Sequence, residues 1–96
     1  MIKIVAKSLI REDQVEAFKE VVKELVEKSS AEEGNVFYSI NVSRDNPRLF
    51  AFIEGWRDQE ALDRHNASEH FQRIVPITRQ MREEGSAEFY TEVEFD

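Results

Sequence analysis

The chain has 96 residues, a formal net charge of −7 and no cysteine. This length fits one domain and argues against two, so we predict a single domain over residues 1–96. Without cysteine there is no disulfide, thiolate nucleophile or zinc–cysteine site, which is typical of proteins of the reducing cytoplasm. The 20 acidic residues outnumber the 13 basic ones, and no basic run exists. This argues against nucleic acid or an anionic membrane surface as a partner.

Four segments alternate between two sets of side chains with the period of two that predicts β-strands. They are 2–10, 36–43, Leu49–Trp56 and Ala87–Phe95. Lysines interrupt the first segment, which is too short and too charged for a signal peptide, and no segment approaches the length of a transmembrane span. The last segment has one charged face, which favours an exposed strand at the edge of a sheet.

Three segments have the periodicity of amphipathic helices. They are Gln14–Ser29, Gln59–Asn66 and Glu69–Arg82. Asp13 and Glu16 have the spacing of a capping box at the start of the first helix, and Asp58 and Ser68 are predicted to cap the second and third. Pro76 removes one hydrogen bond from the third helix, so we expect that helix to be kinked or split.

The predicted order, β-α-β-β-α-β, is that of an α+β, ferredoxin-like fold with an antiparallel sheet and helices on one side. The strand Leu49–Trp56 is apolar on both faces except at Glu54. An antiparallel sheet with one solvated face should instead alternate between apolar and polar residues. We therefore expect the second face to be covered, preferably by a second copy of the chain.

Two histidines flank the predicted helix cap Ser68. His65 and His70 each lie on the apolar side of their predicted helices, so both could point into the space over the sheet. An imidazole moves protons near neutral pH and therefore suits general acid–base catalysis. The alternative is that each histidine is partly buried and only bonds to backbone. Two histidines without a third ligand do not predict a metal site.

Glu54 lies among aromatic residues on one strand face. Burial disfavours the charged form of a carboxylate, so Glu54 is a candidate acid. Alternatively, it is a structural group that pairs with Arg57 or Arg64. The chain has ten aromatic residues, which either line a flat pocket for an aromatic ligand or simply form core and interface. The aromatic residues assigned to substrate binding are Trp56, Tyr38, Phe52 and Phe71.

The segment from Glu54 to Phe71 reads EGWRDQEALDRHNASEHF. Its pattern is E-x-W, an acidic residue, A-L, H and then S-x-H-F. Together with the turn AEEGN at 31–35 and the hairpin DNPRLF at 45–50, it resembles the antibiotic biosynthesis monooxygenase (ABM) domain family. That resemblance covers nearly the whole chain and implies a dimeric α+β barrel, in which two ferredoxin-like sheets face each other.

Some members of that family resemble quinol monooxygenases, which oxidise phenolic or quinol substrates with O2 and need no metal, flavin or haem. The resemblance implies an aromatic or quinol substrate, O2, a homodimer and no cofactor. It suggests His65 as proton acceptor or orienter and Trp56 as a pocket wall. Glu54 and His70 would support them, and together with His65 they are the candidate catalytic residues.

Other relatives imply other functions. Haem-degrading members carry an asparagine on the first strand and an axial histidine in the last helix. The corresponding segments of this chain, 5–7 and 74–81, contain neither residue, so haem is disfavoured. A further subgroup processes the phosphorylated autoinducer-2 signal and needs a positive pocket. The arginines considered for it are Arg44, Arg48, Arg57 and Arg64. A third alternative is a non-catalytic, ligand-binding dimer associated with stress.

Overall fold

The computed structural model describes all 96 residues, Met1–Asp96. Four strands and three helices follow one another in the order β-α-β-β-α-α-β. The strands are β1 (Ile2–Ile10), β2 (Asn35–Val42), β3 (Leu49–Trp56) and β4 (Arg82–Thr91), and the helices are α1 (Val15–Ser30), α2 (Gln59–Ala67) and α3 (Glu69–Met81). No helix is both long and apolar enough to cross a bilayer.

The four strands form one antiparallel sheet in the order β2-β3-β1-β4. Ile4 on β1 lies opposite Glu54 on β3 and Phe89 on β4, and Tyr38 on β2 lies opposite Glu54. This row crosses the sheet on the face that packs against the helices. The predicted ferredoxin-like α+β fold is confirmed.

The core lies between this sheet face and α1. Phe18, Val22 and Leu25 are spaced along one side of α1 and are buried. The ring of Phe18 packs against that of Phe50, with centroids 4.8 Å apart. Removing such apolar surface from water is the main stabilising contribution in a domain of this size.

The start of α1 differs from the predicted capping box. A 3-10 turn over Glu12–Gln14 precedes the helix, Gln14 occupies the N-cap position, and no side chain caps the helix. Asp13 lies inside that turn, whereas an N-cap residue needs an extended backbone. The capping role predicted for Asp13 and Glu16 is therefore wrong.

Both caps predicted for α2 and α3 are present. Asp58 Oδ1 accepts a hydrogen bond from the backbone N of Ala61 at 2.9 Å. Ser68 Oγ accepts one from the backbone N of Phe71 at 3.2 Å and donates one to the carbonyl of His65 at 2.7 Å.

Helix α3 runs unbroken through Pro76, so the predicted split is wrong. Packing of the buried side of α3 outweighs the one backbone hydrogen bond that proline removes.

The last strand is shifted relative to the prediction Ala87–Phe95. It begins at Arg82 and ends at Thr91, which pairs with Ile2, the first residue of β1. The pairing with β1 stops at Thr91, the alternating pattern continues beyond it without a strand, and Phe95 is 90% exposed. The predicted edge position of this strand is confirmed.

The sheet face opposite the helices has no cover within the chain. Ile53 and Phe37 lie on it and are 39% and 37% exposed. The ring of Phe37 lies over Gly55, where a Cβ atom would come within 2.5 Å of it. The second apolar face of β3 that the sequence predicts is therefore present and open to solvent in the single chain.

Candidate active site

A cavity of about 370 Å³ lies between the sheet and the helices α2 and α3. Ten of its 19 lining residues are hydrophobic. Its volume lies within the range of about 300–1,000 Å³ that is usual for small-molecule sites. Five of the seven site residues predicted from the sequence line it, namely His65, Glu54, Tyr38, Phe52 and Phe71. Trp56 and His70 do not.

His65 is held among aromatic rings in the last turn of α2. The side chain is only 2% exposed. Its ring lies 4.4 Å from that of Trp56 and 5.1 Å from that of Phe71, measured between centroids, and the Phe71 contact is edge-to-face. Tyr38 closes a third side at 5.6 Å. These contacts fix the plane of the imidazole within the cavity wall.

Glu32 orients the imidazole of His65. Its Oε2 lies 2.6 Å from Nδ1 of His65. An ionised carboxylate only accepts hydrogen bonds, so Nδ1 donates and Nε2 is left as a hydrogen-bond acceptor. Burial lowers the pKa of His65, and the hydrogen bond and charge of Glu32 offset this only in part. The imidazole is therefore neutral at pH 7 and able to take a proton.

Glu32 was not among the residues predicted from the sequence. It lies in the turn after α1, within the motif AEEGN that the family resemblance includes, and 33 positions separate it from His65. No periodicity links the two residues, because the turn and α2 meet only in the folded chain. The one available signal was an acidic turn within a family motif.

Glu54 and Trp56 form a second buried pair. They are two residues apart on β3 and so share a face. The indole Nε1 of Trp56 donates a hydrogen bond to Glu54 Oε1 at 2.9 Å. Burial raises the pKa of Glu54, the bond from Trp56 opposes this rise, and the charge of Glu32 adds to it. Glu54 is thus a cavity carboxyl group that holds its proton at higher pH than an exposed one.

Trp56 is not part of the cavity wall, contrary to the role suggested by the resemblance. It is completely buried and lies behind His65 and Glu54, touching both. Its bulk therefore positions the two groups that face the cavity. The cavity walls are built by Tyr38, Phe52 and Phe71 instead. Burial, and the charge of Glu54, raise the pKa of Tyr38, which therefore stays a neutral phenol.

His70 lies behind His65, on the same carboxylate. Its Nε2 is 3.5 Å from Glu32 Oε2 and has no hydrogen-bond partner. Glu32 thus offers the third potential metal ligand that the sequence pattern did not identify. The donor atoms of Glu32, His65 and His70 lie within 4.8 Å of one another. Two ligands of a tetrahedral zinc ion lie about 3.3 Å apart. The 2.6 Å between Glu32 and His65 is instead the distance of a hydrogen bond.

The four arginines considered for an anionic substrate do not line the cavity. Three of them pair with acidic groups elsewhere: Arg48 with Glu83 at 2.7 Å, Arg57 with Asp58 at 3.3 Å and Arg64 with Glu60 at 2.9 Å. Arg44 lies exposed in the turn between β2 and β3. A positive pocket built from these four residues is therefore excluded.

The chain is similar to known proteins in sequence and in structure. A family model described as antibiotic biosynthesis monooxygenase matches residues 1–76. The chain is 33% identical over 75 residues to the protein named Putative monooxygenase YcnE of Bacillus subtilis (strain 168). The matched region covers 78% of this chain and 79% of that protein.

Two solved structures extend this similarity to the whole fold. The crystal structure of an antibiotic biosynthesis monooxygenase matches with a TM-score of 0.92 and 34% identity, over 98% of this chain and 100% of that chain. A conserved protein from Methanosarcina mazei Go1 matches with a TM-score of 0.90 and 31% identity, over 93% of this chain and 89% of that chain.

Proposed function

Because the chain belongs to the antibiotic biosynthesis monooxygenase family, we propose that it oxidises a quinol or phenolic small molecule with O2 and needs no cofactor. Family membership and the monooxygenase name of the relative support the general activity. The observation that carries the finer proposal is the buried Glu32–His65 pair at the wall of an aromatic cavity. It offers a neutral, oriented base to a phenolic hydroxyl group.

In the proposed reaction, Nε2 of His65 accepts a proton from one hydroxyl group of the quinol. The resulting anion is electron-rich and passes electrons to O2. For 1,4-naphthoquinol the balance is C10H8O2 + O2 → C10H6O3 + H2O. One oxygen atom enters the ring as a hydroxyl group, the substrate becomes a quinone, and the second oxygen atom leaves as water. General base catalysis of this kind contributes about 10²–10⁴-fold to a rate.

Glu54 is the proposed proton donor to the reduced oxygen. It lines the same cavity as His65, and its raised pKa favours the protonated form that a donor needs. The phenol of Tyr38 is a second donor of hydrogen bonds within the same row of the sheet. His65 and Glu54 are 2% and 7% exposed, and their removal from water strengthens these interactions.

We further propose that the protein is a homodimer of the reducing cytoplasm. The open sheet face supports the dimer, since Ile53 and Phe37 expose apolar surface there that a second copy would bury. The absence of cysteine agrees with the cytoplasmic location.

The test is oxygen uptake with 1,4-naphthoquinol by the purified protein after a chelator has removed metal ions. We expect uptake well above the uncatalysed rate, and we expect His65→Ala to lose it. Uptake that is unchanged in His65→Ala would refute the role of His65. A protein that binds the quinol but consumes no oxygen would be a ligand-binding dimer instead, whereas conversion of a sugar phosphate would make it an isomerase.

A further inference from the structure

Two arginines line the cavity and are unpaired. Arg79 is in the last turn of α3 and Arg82 is the first residue of β4. Neither guanidinium group makes an ion pair, although the chain has 20 acidic residues and a net charge of −7. In so acidic a protein, two free guanidinium groups at one end of an apolar cavity suggest a counter-ion that the ligand brings.

A β-bulge places Arg82 on the cavity face. Ile10 pairs with Arg82 while Leu9 pairs with Glu84, so Glu83 is the extra residue of β4. Arg48 contacts both strands at the bulge. Its Nη2 lies 2.7 Å from Glu83 Oε1, and its Nε donates a hydrogen bond to the carbonyl of Ile10 at 2.8 Å. Without the bulge, the alternation of β4 would turn Arg82 to the opposite face.

Gly85 leaves room for the side chain of Arg82. A Cβ atom at Gly85 would lie 2.3–2.6 Å from three atoms of the Arg82 guanidinium group, which is closer than van der Waals contact allows. Gly85 pairs with Ser8, and both residues line the cavity. The guanidinium group therefore lies along the cavity wall beside Ser8.

The charged end and the proton-transfer end of the cavity are separate. Glu54 lies opposite Ile4, four residues along β1 from Ser8. At about 3.4 Å per residue this is about 14 Å along the strand. The cavity thus offers a base and an acid at one end and two guanidinium groups at the other.

We propose that Arg79 and Arg82 bind a carboxylate of the substrate, so that the substrate is an elongated aromatic acid. Its phenolic oxygen lies at His65 and its carboxylate at the other end. A guanidinium group binds a carboxylate through two parallel hydrogen bonds, and such charge-assisted bonds are stronger than neutral ones. The predominantly hydrophobic lining favours fused aromatic rings over a sugar phosphate. This proposal deepens the proposed function and rests on it for the orientation of the phenol.

The test compares two ligands that differ only in the carboxylate, 6-hydroxy-2-naphthoate and 2-naphthol, by isothermal titration calorimetry. We expect the acid to bind at least about tenfold more tightly to the wild-type protein. In the double variant Arg79→Gln/Arg82→Gln this preference should fall to less than about twofold. Arg44→Gln, which removes an exposed and unpaired arginine outside the cavity, is the matched control and should keep it.

Four results would overturn the carboxylate site. They are equal binding of the two ligands or no binding of either, an equal loss of affinity for 2-naphthol in the double variant, and binding of ribose 5-phosphate in preference to the aromatic acid. Because the measurement needs no turnover, its failure is distinct from that of the proposed function. If the wild-type protein prefers the acid but takes up no oxygen, the monooxygenase proposal is wrong and the carboxylate site still stands.

Discussion

Glu32 and His65 lie 33 residues apart in the chain and share a 2.6 Å hydrogen bond beside the cavity. The carboxylate comes from the turn after α1 and the imidazole from the last turn of α2. The bond selects which ring nitrogen carries the proton, so a buried histidine becomes an oriented base. In the proposed reaction Glu32 is a positioning residue, since it touches His65 and does not line the cavity.

Replacing Glu32 with glutamine should lower kcat by about 10–100-fold with little change in KM. The amide removes the charge that stabilises protonated His65, so the pKa of His65 should fall further below its usual value of 6.5. The acid limb of the pH profile of kcat/KM should therefore move to lower pH. Glu33→Gln removes the same charge from an exposed neighbour and should change neither quantity. An unmoved acid limb in Glu32→Gln would mean that Glu32 has only a structural role.

Glu54 should make the stability of the protein fall as the pH rises above the ordinary carboxyl pKa of 4.5. Its pKa is raised in the folded chain, so its stabilising contribution is present below the unfolded pKa and is lost as the pH rises through the folded pKa. Glu54→Gln removes this titration and can still accept the bond from Trp56. We expect the Tm of the variant to fall less than that of the wild-type protein as the pH rises from 5 to 9. Parallel Tm curves would contradict a buried, titrating Glu54.

Local rules explain the parts of the site that the sequence predicts. Asp58 and Ser68 cap their helices because an N-cap interaction involves residues three positions apart, and this spacing is visible in a sequence. Glu54 shares a sheet face with Phe52 for the same reason, since strand alternation is local. These rules bring His65 and Glu54 to one side of the sheet.

Tertiary contacts determine the parts that the sequence does not reveal. Glu32 reaches His65 only through the packing of a turn against α2. Trp56 has the spacing of a wall residue, but the ring of His65 covers it. β4 ends at Thr91, opposite the first residue of β1, and Glu83 in the bulge pairs with Arg48, which comes from a different part of the chain.

Trp56→Phe should separate packing from hydrogen bonding at the second buried pair. Phenylalanine keeps an aromatic ring against His65 and removes the Nε1 donor that bonds Glu54. A buried acceptor without a partner costs about 1–3 kcal/mol, so the free energy of unfolding should fall by about that amount. Urea denaturation followed by circular dichroism measures it. Phe95→Leu, at a residue that is 90% exposed, provides a comparison, and a change below about 0.5 kcal/mol in Trp56→Phe would show that the bond contributes little.

Ile53→Glu should convert the proposed dimer into a monomer. A charge at the centre of the open sheet face would have to be buried without a partner in the interface, which is strongly unfavourable. Ile77→Glu on α3 is the matched control, because Ile77 is 43% exposed against 39% for Ile53. Size-exclusion chromatography with light scattering should give a dimer for the control and a monomer for Ile53→Glu. A monomeric wild-type protein, or a dimeric Ile53→Glu variant, would rule out this face as the interface.

The stoichiometry of oxygen uptake tests the central proposal most directly. With 1,4-naphthoquinol, a monooxygenase consumes one O2 per quinol, forms the hydroxylated quinone and water, and leaves no peroxide. Adding catalase at the end should therefore return no oxygen, and His65→Ala should show only the uncatalysed rate. Return of half of the consumed oxygen would identify peroxide and a plain quinol oxidation. That result, or uptake no faster than without protein, would contradict a monooxygenase that uses His65 as its base.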